Sequence, residues 1–392
     1  RGGHRPTRRT MNAPLGWLQL RHRPLRLLVA LLGIAFAVLL IMMQLGFRAA
    51  LFDSAVRYQE RLNYDIALFS PDSVFIVRPE QFSIRRLYQA LGDPAVESVS
   101  PIYIFPAVWK NPVTNQRRTI NLVGFNPADP VLDAPGFEEA RAKLQRQDVV
   151  LFDARSRPEF GPVAQTLRDG GMMFTEVNNR HVQAVGLFEM GPSFGIDGSL
   201  ITSDDNWLRL FPDRSRNDIQ LGLIKLKPGS DVDAVRDRLR KFLPKDVLVL
   251  SKPDFVAREK SYWNRATPIG YIFAFGAIMG FVVGAIIVYQ ILFADVSEHL
   301  NEYATLRAMG YGNGFVSGIV LQQATILGLL GYLPGLFLAE VLYARAAAAT
   351  FMPLHVTWER ALLVFALTLG MCAISGLLAV RKVRRLDPAE VF

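Results

Sequence analysis

Cys372 is the only cysteine in the chain. No intramolecular disulfide can brace any part of it, so a portion in an oxidising compartment must be held by its own core. Charge is scarce too: 20% of the 392 residues are Asp, Glu, Lys or Arg, against 51% apolar. That balance points away from an ordinary soluble enzyme. Nothing matches G-x-x-x-x-G-K-[ST], the loop that cradles nucleotide phosphates, so if ATP drives this protein another chain hydrolyses it. His4, His22, His181, His299 and His355 are scattered without chelating spacing, which leaves no metal site to argue for. No Ser-His-Asp or Cys-His constellation can be built, and "FGPVAQ" and "GPSFGIDGS" read as turns. No basic patch with interleaved aromatics points to nucleic acid.

Four stretches lack charge altogether: Leu27 to Phe47, Ala266 to Ala294, Ala308 to Ala339 and Ala361 to Val380. A hydrocarbon core is crossed by about 20 apolar residues in a helix, with every backbone group bonded internally. Four membrane helices are therefore expected. The first is longer than a secretory h-region of about 7–15 residues and lacks a small-residue cleavage site, so it reads as a retained anchor. "RGGHRPTRRT", before Met11, is given no role.

Lysine and arginine bias sets the orientation. Arg1, Arg5, Arg8, Arg9, Arg21, Arg23 and Arg26 precede the first run with no acid among them, and "RKVRR" follows the last. Both ends are expected in the cytoplasm. The loop from Arg48 to Arg265 is nearly balanced, with 30 basic and 28 acidic residues, so the overall +9 is mostly this bias.

The chain then divides into a basic cytoplasmic segment (1–26), a first span (27–47) and an outer domain with stalk helices (48–265). A second span (266–294), a cytoplasmic helix and loop (295–314) and a third span (315–340) follow. A short outer loop (341–358), a fourth span (359–380) and a cytoplasmic tail (381–392) complete it. The fold class is an α-helical membrane protein carrying a large α+β domain on a helical stalk.

Within the outer domain, "YDIALFS", "PEQFSIRRLYQALGD" and "VESVSPIYIF" read as strand, helix, strand. "IQLGLIKL", "SDVDAVRDRLRKFL" and "KDVLVL" repeat that order. The two units pair as one split layer. Residues of about 106–218 would be a β-rich insertion with strands in "RRTINLVGF", "DVVLFD", "MMFTEVNNRHVQAVGLF" and "SLITS", a turn at Asn178–Asn179, and a capped helix in "SDDNWLRLF".

The spans contain Gln44, Gln290, Gln322 and Gln323, which read as packing hydrogen bonds; a polar translocation path is the other possibility. Gly276, Gly280 and Gly284 recur every fourth residue on one face, so a neighbouring helix packs closely there, from this chain or a second copy. Pro334 is expected to kink the third span.

Between the second and third spans, "DVSEHLNEYATLRAMGYGNG" places Val296, Leu300, Tyr303 and Leu306 on one helical face and Glu298, Glu302 and Thr305 on another. Gly310, Gly312 and Gly314 end the helix. It reads as an amphipathic helix on the cytoplasmic membrane surface, without the basic face of a lipid-binding helix. Its apolar stripe, with Leu300, Tyr303 and Met309, points to a binding role, a solvated connector being the alternative.

"NEYATLRAMGYGNGFV", "RPLRLLVALLGIAFAVLL" and "RKVRRLDPAEVF" resemble the MacB/FtsX (type VII) family of ABC transporter permeases. Longer strings, including "GPSFGIDGSLITSDDNWLRLF" and "YWNRATPIGYIFAFGAIMGFVVGAIIVYQ", resemble its DevC branch, permeases of heterocyst-glycolipid-type exporters. The resemblance implies a non-catalytic homodimeric permease in a bacterial inner membrane, among membrane lipids. A separate cytoplasmic ATPase dimer would bind ATP and Mg; a periplasmic adaptor and a TolC-like outer-membrane channel would complete a tripartite exporter of a glycolipid-like amphiphile. It also implies that Glu298, Leu300, Glu302, Tyr303, Leu306, Arg307, Met309 and Gly310 form the ATPase-coupling helix. His299 and Asn301 replace the basic residues usual ahead of the acid. A regulatory scaffold for a periplasmic wall hydrolase, like the cell-division members of the superfamily, and a lipoprotein-extracting permease are the alternatives.

Overall fold

The structure, a computed structural model, describes residues 24–193, 195–265, 267–309 and 311–384, without the side chains of residues 306–308, 313, 316 and 382–384. Gly310, the head 1–23 and the tail from 385 lie outside the described residues. In chain order, α1 (Pro24–Ala55) and α2 (Arg57–Arg61) precede β1 (Ile66–Phe69), β2 (Phe82–Ser83), α3 (Arg85–Ala90), β3 (Val96–Lys110) and β4 (Arg117–Phe125). Next come α4 (Phe137–Arg141), β5 (Val149–Asp153), α5 (Val163–Arg168), β6 (Met173–Val177), β7 (Arg180–Phe188), β8 (Ser199–Ser203) and α6 (Asp204–Leu210). Then follow β9 (Asp218–Ile219), β10 (Leu221–Leu226), α7 (Val232–Phe242), β11 (Leu248–Ser251) and α8 (Lys252–Arg265). The chain continues through α9 (Ile269–Glu298), α10 (Leu300–Ala308), α11 (Asn313–Thr350) and α12 (Trp358–Arg384). Two compact units result, one made of 48–270 with 346–353, the other of the remaining described residues.

In the α+β unit one nine-stranded sheet runs β11-β1-β10-β3-β4-β8-β5-β7-β6. β1, β5 and β8 are buried along their whole length because both faces of the sheet are covered there. Ile66 and Leu68 enter one core cluster while Ala67 and Phe69 enter the other, and Val150 and Phe152 alternate with Val149 and Leu151 in the same way. That two-residue alternation is the strand period read out on two separate cores. Ser203 caps α6 by accepting from the Asn206 N–H, and Asp231 caps α7 through Asp233 and Ala234.

The expected insertion boundary near 106 falls inside a strand, not between domains. β3 pairs with β10 through Ile102 and with β4 from Tyr103 onward. Each half of β3 therefore has a main ladder on one side only, and a proline can direct its missing N–H to the other. The Ile104 N–H reaches back to Gln220 Oε1 at 3.2 Å, so even-numbered residues face the β10 side. Pro106 turns toward that side after β10 has ended, and Pro101 turns toward the β4 side before β4 begins.

α1, α9, α11 and α12 are long and apolar enough to cross a membrane. α1 runs on to Ala55, past the apolar run, whereas α8 stops at Arg265 before α9 begins at Ile269. Pro268, without an N–H to continue the ladder, falls in that break. The helical unit packs on α1: Ile34, Ala37, Val38, Ile41 and Met42 are wholly buried with Val288, Leu292, Ala324 and Leu327.

Candidate functional site

α10 is built directly onto the foot of α9. The Tyr303 N–H donates to the His299 carbonyl at 3.0 Å and the His299 N–H to that of Asp295 at 3.2 Å, which carries the helical path across the junction. Val296 and Tyr303, the latter 2% exposed, close into a cluster with Ile319, Val320 and Val380, and Phe315 packs against it. The apolar stripe expected to face lipid or a partner is thus covered at Tyr303 by the chain's own α11 and α12. Leu300 is half-buried, while Asn301, Glu302, Thr305 and Met309 are exposed. The backbone of Leu306 and Arg307 lies within α10, and their side chains lie outside the described residues.

Polar groups brace the same junction. Arg26 Nη2 donates to Glu298 Oε1 at 2.5 Å. Gln323 Nε2, in the wholly buried Gln323, donates to Asp295 Oδ2 at 2.8 Å, and His299 Nδ1 lies 2.8 Å from the Asp295 carbonyl. Gln323 thus makes a packing hydrogen bond, whereas nothing in the sequence reading assigns a part to Arg26 or Asp295. The signal was available, because a carboxylate at the last turn of an apolar helix demands a polar partner. A Cβ at Gly312 or Gly314 would meet nothing within 4 Å, so packing does not require glycine there.

The α9 glycines pack within the chain. A Cβ at Gly284 would lie 2.7 Å from Ala37 Cβ and 2.6 Å from Met371 Sδ; at Gly280 it would lie 3.1 Å from Ile41 Cγ1, and at Gly276 2.5 Å from the Gln44 amide carbon. A second pair went unread: Gly331 sits against Ile34 and Gly335 against Val38, both with a Cβ clearance of 2.7 Å. Their four-residue spacing matches that of the α9 glycines and could have revealed them. Pro334 lies inside the continuous α11. Among the described residues no group of three or more His, Cys, Asp or Glu could hold a metal ion.

In the α+β unit Glu259 is a buried acid that makes no ion pair within 4.0 Å among the described residues. Glu259 on α8 is 3% exposed and accepts from Trp263 Nε1 at 3.1 Å and the Ile76 N–H at 3.2 Å. Burial pushes its carboxyl up to about 7.

These features define a membrane protein in which a charged helix is fastened to a four-helix bundle and a separate α+β unit is carried between two of its apolar helices. The family model for the MacB-like periplasmic core domain matches residues 27–242, and that for the FtsX-like permease C-terminal region matches 274–388. The chain belongs to the MacB/FtsX family of ABC transporter permeases. An uncharacterised ABC transporter permease of Methanocaldococcus jannaschii is 24% identical over 231 residues, 55% of this chain and 56% of the relative. The chain thus spans just over half the length of that curated relative. Among solved structures, the periplasmic region of MacB from Actinobacillus actinomycetemcomitans is similar at 13% identity, covering 50% of this chain and 92% of that one, with a TM-score of 0.34. The extracellular domain of the noncanonic ABC-type transporter YknZ from Gram-positive bacteria covers 48% of this chain and 100% of its own, at 11% identity and a TM-score of 0.33.

Proposed function

We propose that this chain is the permease of an ATP-driven tripartite exporter of the DevC branch in a bacterial inner membrane. As a homodimer it couples ATP hydrolysis by a separate cytoplasmic ATPase dimer to export of a glycolipid-like amphiphile, through a periplasmic adaptor and a TolC-like channel. Both termini and residues 295–314 are cytoplasmic in this reading, and 48–265 is periplasmic. The chain itself does no bond chemistry; ATP and Mg belong to the partner.

The supporting observation is α10. A helix glued down on one side through Tyr303, against Val296 of α9, with Glu302 and Met309 exposed on the other, delivers a push on its outer face to α9, α11 and α12. Glu298, held by Arg26, adds the beginning of α1 to the elements that would move. Leu306 and Arg307 complete the proposed ATPase contact.

A tagged pull-down from membranes in mild detergent, with ATPase activity assayed with and without added lipid extract, tests the proposal. Recovery of an ATPase and an adaptor, with lipid-stimulated turnover, supports it; recovery of a wall hydrolase without adaptor overturns it. Replacing Leu306 and Arg307 together should abolish ATPase capture, and unchanged assembly and export would remove the coupling assignment.

A further inference from the structure

A cavity of about 290 Å³ lies within the α+β unit, bordered by Arg57, Glu60, Arg61, Arg155, Glu189 and Pro353 among others. That is at the lower edge of the roughly 300–1,000 Å³ usual for small-molecule sites and larger than a single ion needs. Its frame is rigid. Asp153, wholly buried at the end of β5, accepts from the N–H groups of Arg155 (3.0 Å), Met190 (3.0 Å) and Gly191 (2.8 Å). Three backbone donors thus occupy this carboxylate and pin the turn after β5 to the loop after β7.

Arg57 donates to the Met190 carbonyl at 2.6 Å and the Pro192 carbonyl at 3.4 Å, and Arg61 to that of Asp133 at 3.4 Å. Among the described residues none of Arg57, Arg61 and Arg155 makes an ion pair within 4.0 Å. Gly191, at φ +84°, makes room for Arg57, because a Cβ there would fall 2.4 Å from Nη1. Burial, then the like charge of Arg155, weaken the hold of Arg57 on its proton, with Asp153 offsetting part of this and Arg61 adding to it. Asp53, Glu60 and Glu189 are exposed on the rim. They repel a bare, multiply charged anion and favour a group that turns its anion inward and a neutral or cationic portion outward.

We infer that this cavity binds a phosphate- or carboxylate-bearing polar headgroup, with Arg57 and Arg155 as the pair that holds the anion. Arg57 follows Phe47, the last residue of the first apolar run, by ten positions, and Pro353 precedes the last apolar helix by five, so two of the lining residues lie only a few positions along the chain from membrane-crossing segments. Calling the headgroup part of an exported amphiphile rests on the export reading above; the binding site rests on the geometry alone. The same anion could also arrive as free phosphate.

The test uses the full-length chain purified in a neutral maltoside detergent, with no ATPase or adaptor present. Dihexanoyl-phosphatidylethanolamine, inorganic phosphate and octyl glucoside are titrated calorimetrically into wild type, R57Q and R155Q. Wild type should bind the phospholipid and not the glucoside, and each variant should lose about tenfold or more in affinity, on the scale of one charge-assisted hydrogen bond. Phospholipid binding well above phosphate binding identifies an amphiphile headgroup; equal binding of the two identifies a free anion as the ligand. No saturable binding of either, or affinity unchanged in R155Q, overturns the site. R155Q decides if R57Q fails to fold, because the Arg155 side chain makes no hydrogen bond among the described residues, and melting temperature reports folding for both. Failure here leaves ATPase capture untouched, so the two readings fail separately.

Discussion

Arg26 and Glu298, 272 positions apart in sequence, meet through a 2.5 Å hydrogen bond that ties the beginning of α1 to the end of α9 at the root of α10. Both side chains are partly exposed, 44% and 35%, so the pair fixes position more than it adds stability. E298R, which sets like charges against each other, should therefore leave the melting temperature of the purified chain nearly unchanged while lowering lipid-stimulated turnover of the captured ATPase. A large loss of thermal stability with normal turnover would reverse that assignment.

The two faces of α10 should separate under mutation. Y303A opens a cavity among Val296, Ile319, Val320 and Val380, with a cost of about 3 kcal/mol by analogy with other buried aromatic truncations. E302K alters an exposed position, so it should leave melting unchanged and reduce ATPase recovery in the pull-down. Equal thermal effects of the two substitutions would contradict the burial pattern.

Close approach of α9 to α1 predicts an order of sensitivity. G284L drives a side chain into Met371 and Ala37 and should destabilise by about 1–3 kcal/mol or more. At Gly276 the obstacle is the Gln44 side-chain amide, which can swing aside, so G276A should be milder than G284A. Detergent thermal melts of the alanine pair check this; the reverse order would place the tight crossing elsewhere.

Glu259 gives a pH dependence with a definite sign. Its folded pKa of about 7 lies above the ordinary value of 4.5, so between these pH values the folded chain holds a proton that the unfolded chain has released. The stabilisation is complete below about 4.5 and is lost as pH rises through 7, amounting to roughly 3 kcal/mol. Asp153, also raised by burial, adds in the same direction. Melting of the full chain should fall from pH 5 to pH 8, and E259Q should flatten that slope. A slope unchanged in E259Q would show that the acid is ionised throughout.

Much of this architecture was legible where local chemistry and tertiary structure agree. "RRTINLVGF" forms β4 and "SLITS" forms β8, because their apolar residues satisfy a sheet covered on both faces. Asn178 and Asn179 both take positive φ, as a two-residue hairpin turn demands. β3 resisted reading because Pro101 and Pro106 are normally strand breakers, and only the change of partner between Ile102 and Tyr103 makes them harmless. At α10 the helical period was visible, but what Tyr303 packs against depended on residues in two distant helices. The arginine cavity joins α2 to residues as distant in the sequence as Arg155, Glu189 and Pro353, and no local pattern announces such a meeting.

β3 gives the α+β unit a mechanical character. One unbroken strand of 15 residues is gripped by β10 along its first half and by β4 along its second, so no hinge separates the two halves of the sheet. A tug along that strand loads both ladders in shear, where many hydrogen bonds resist at once instead of peeling singly. The unit is suited to act as a stiff lever arm, relaying displacement with little lost to bending.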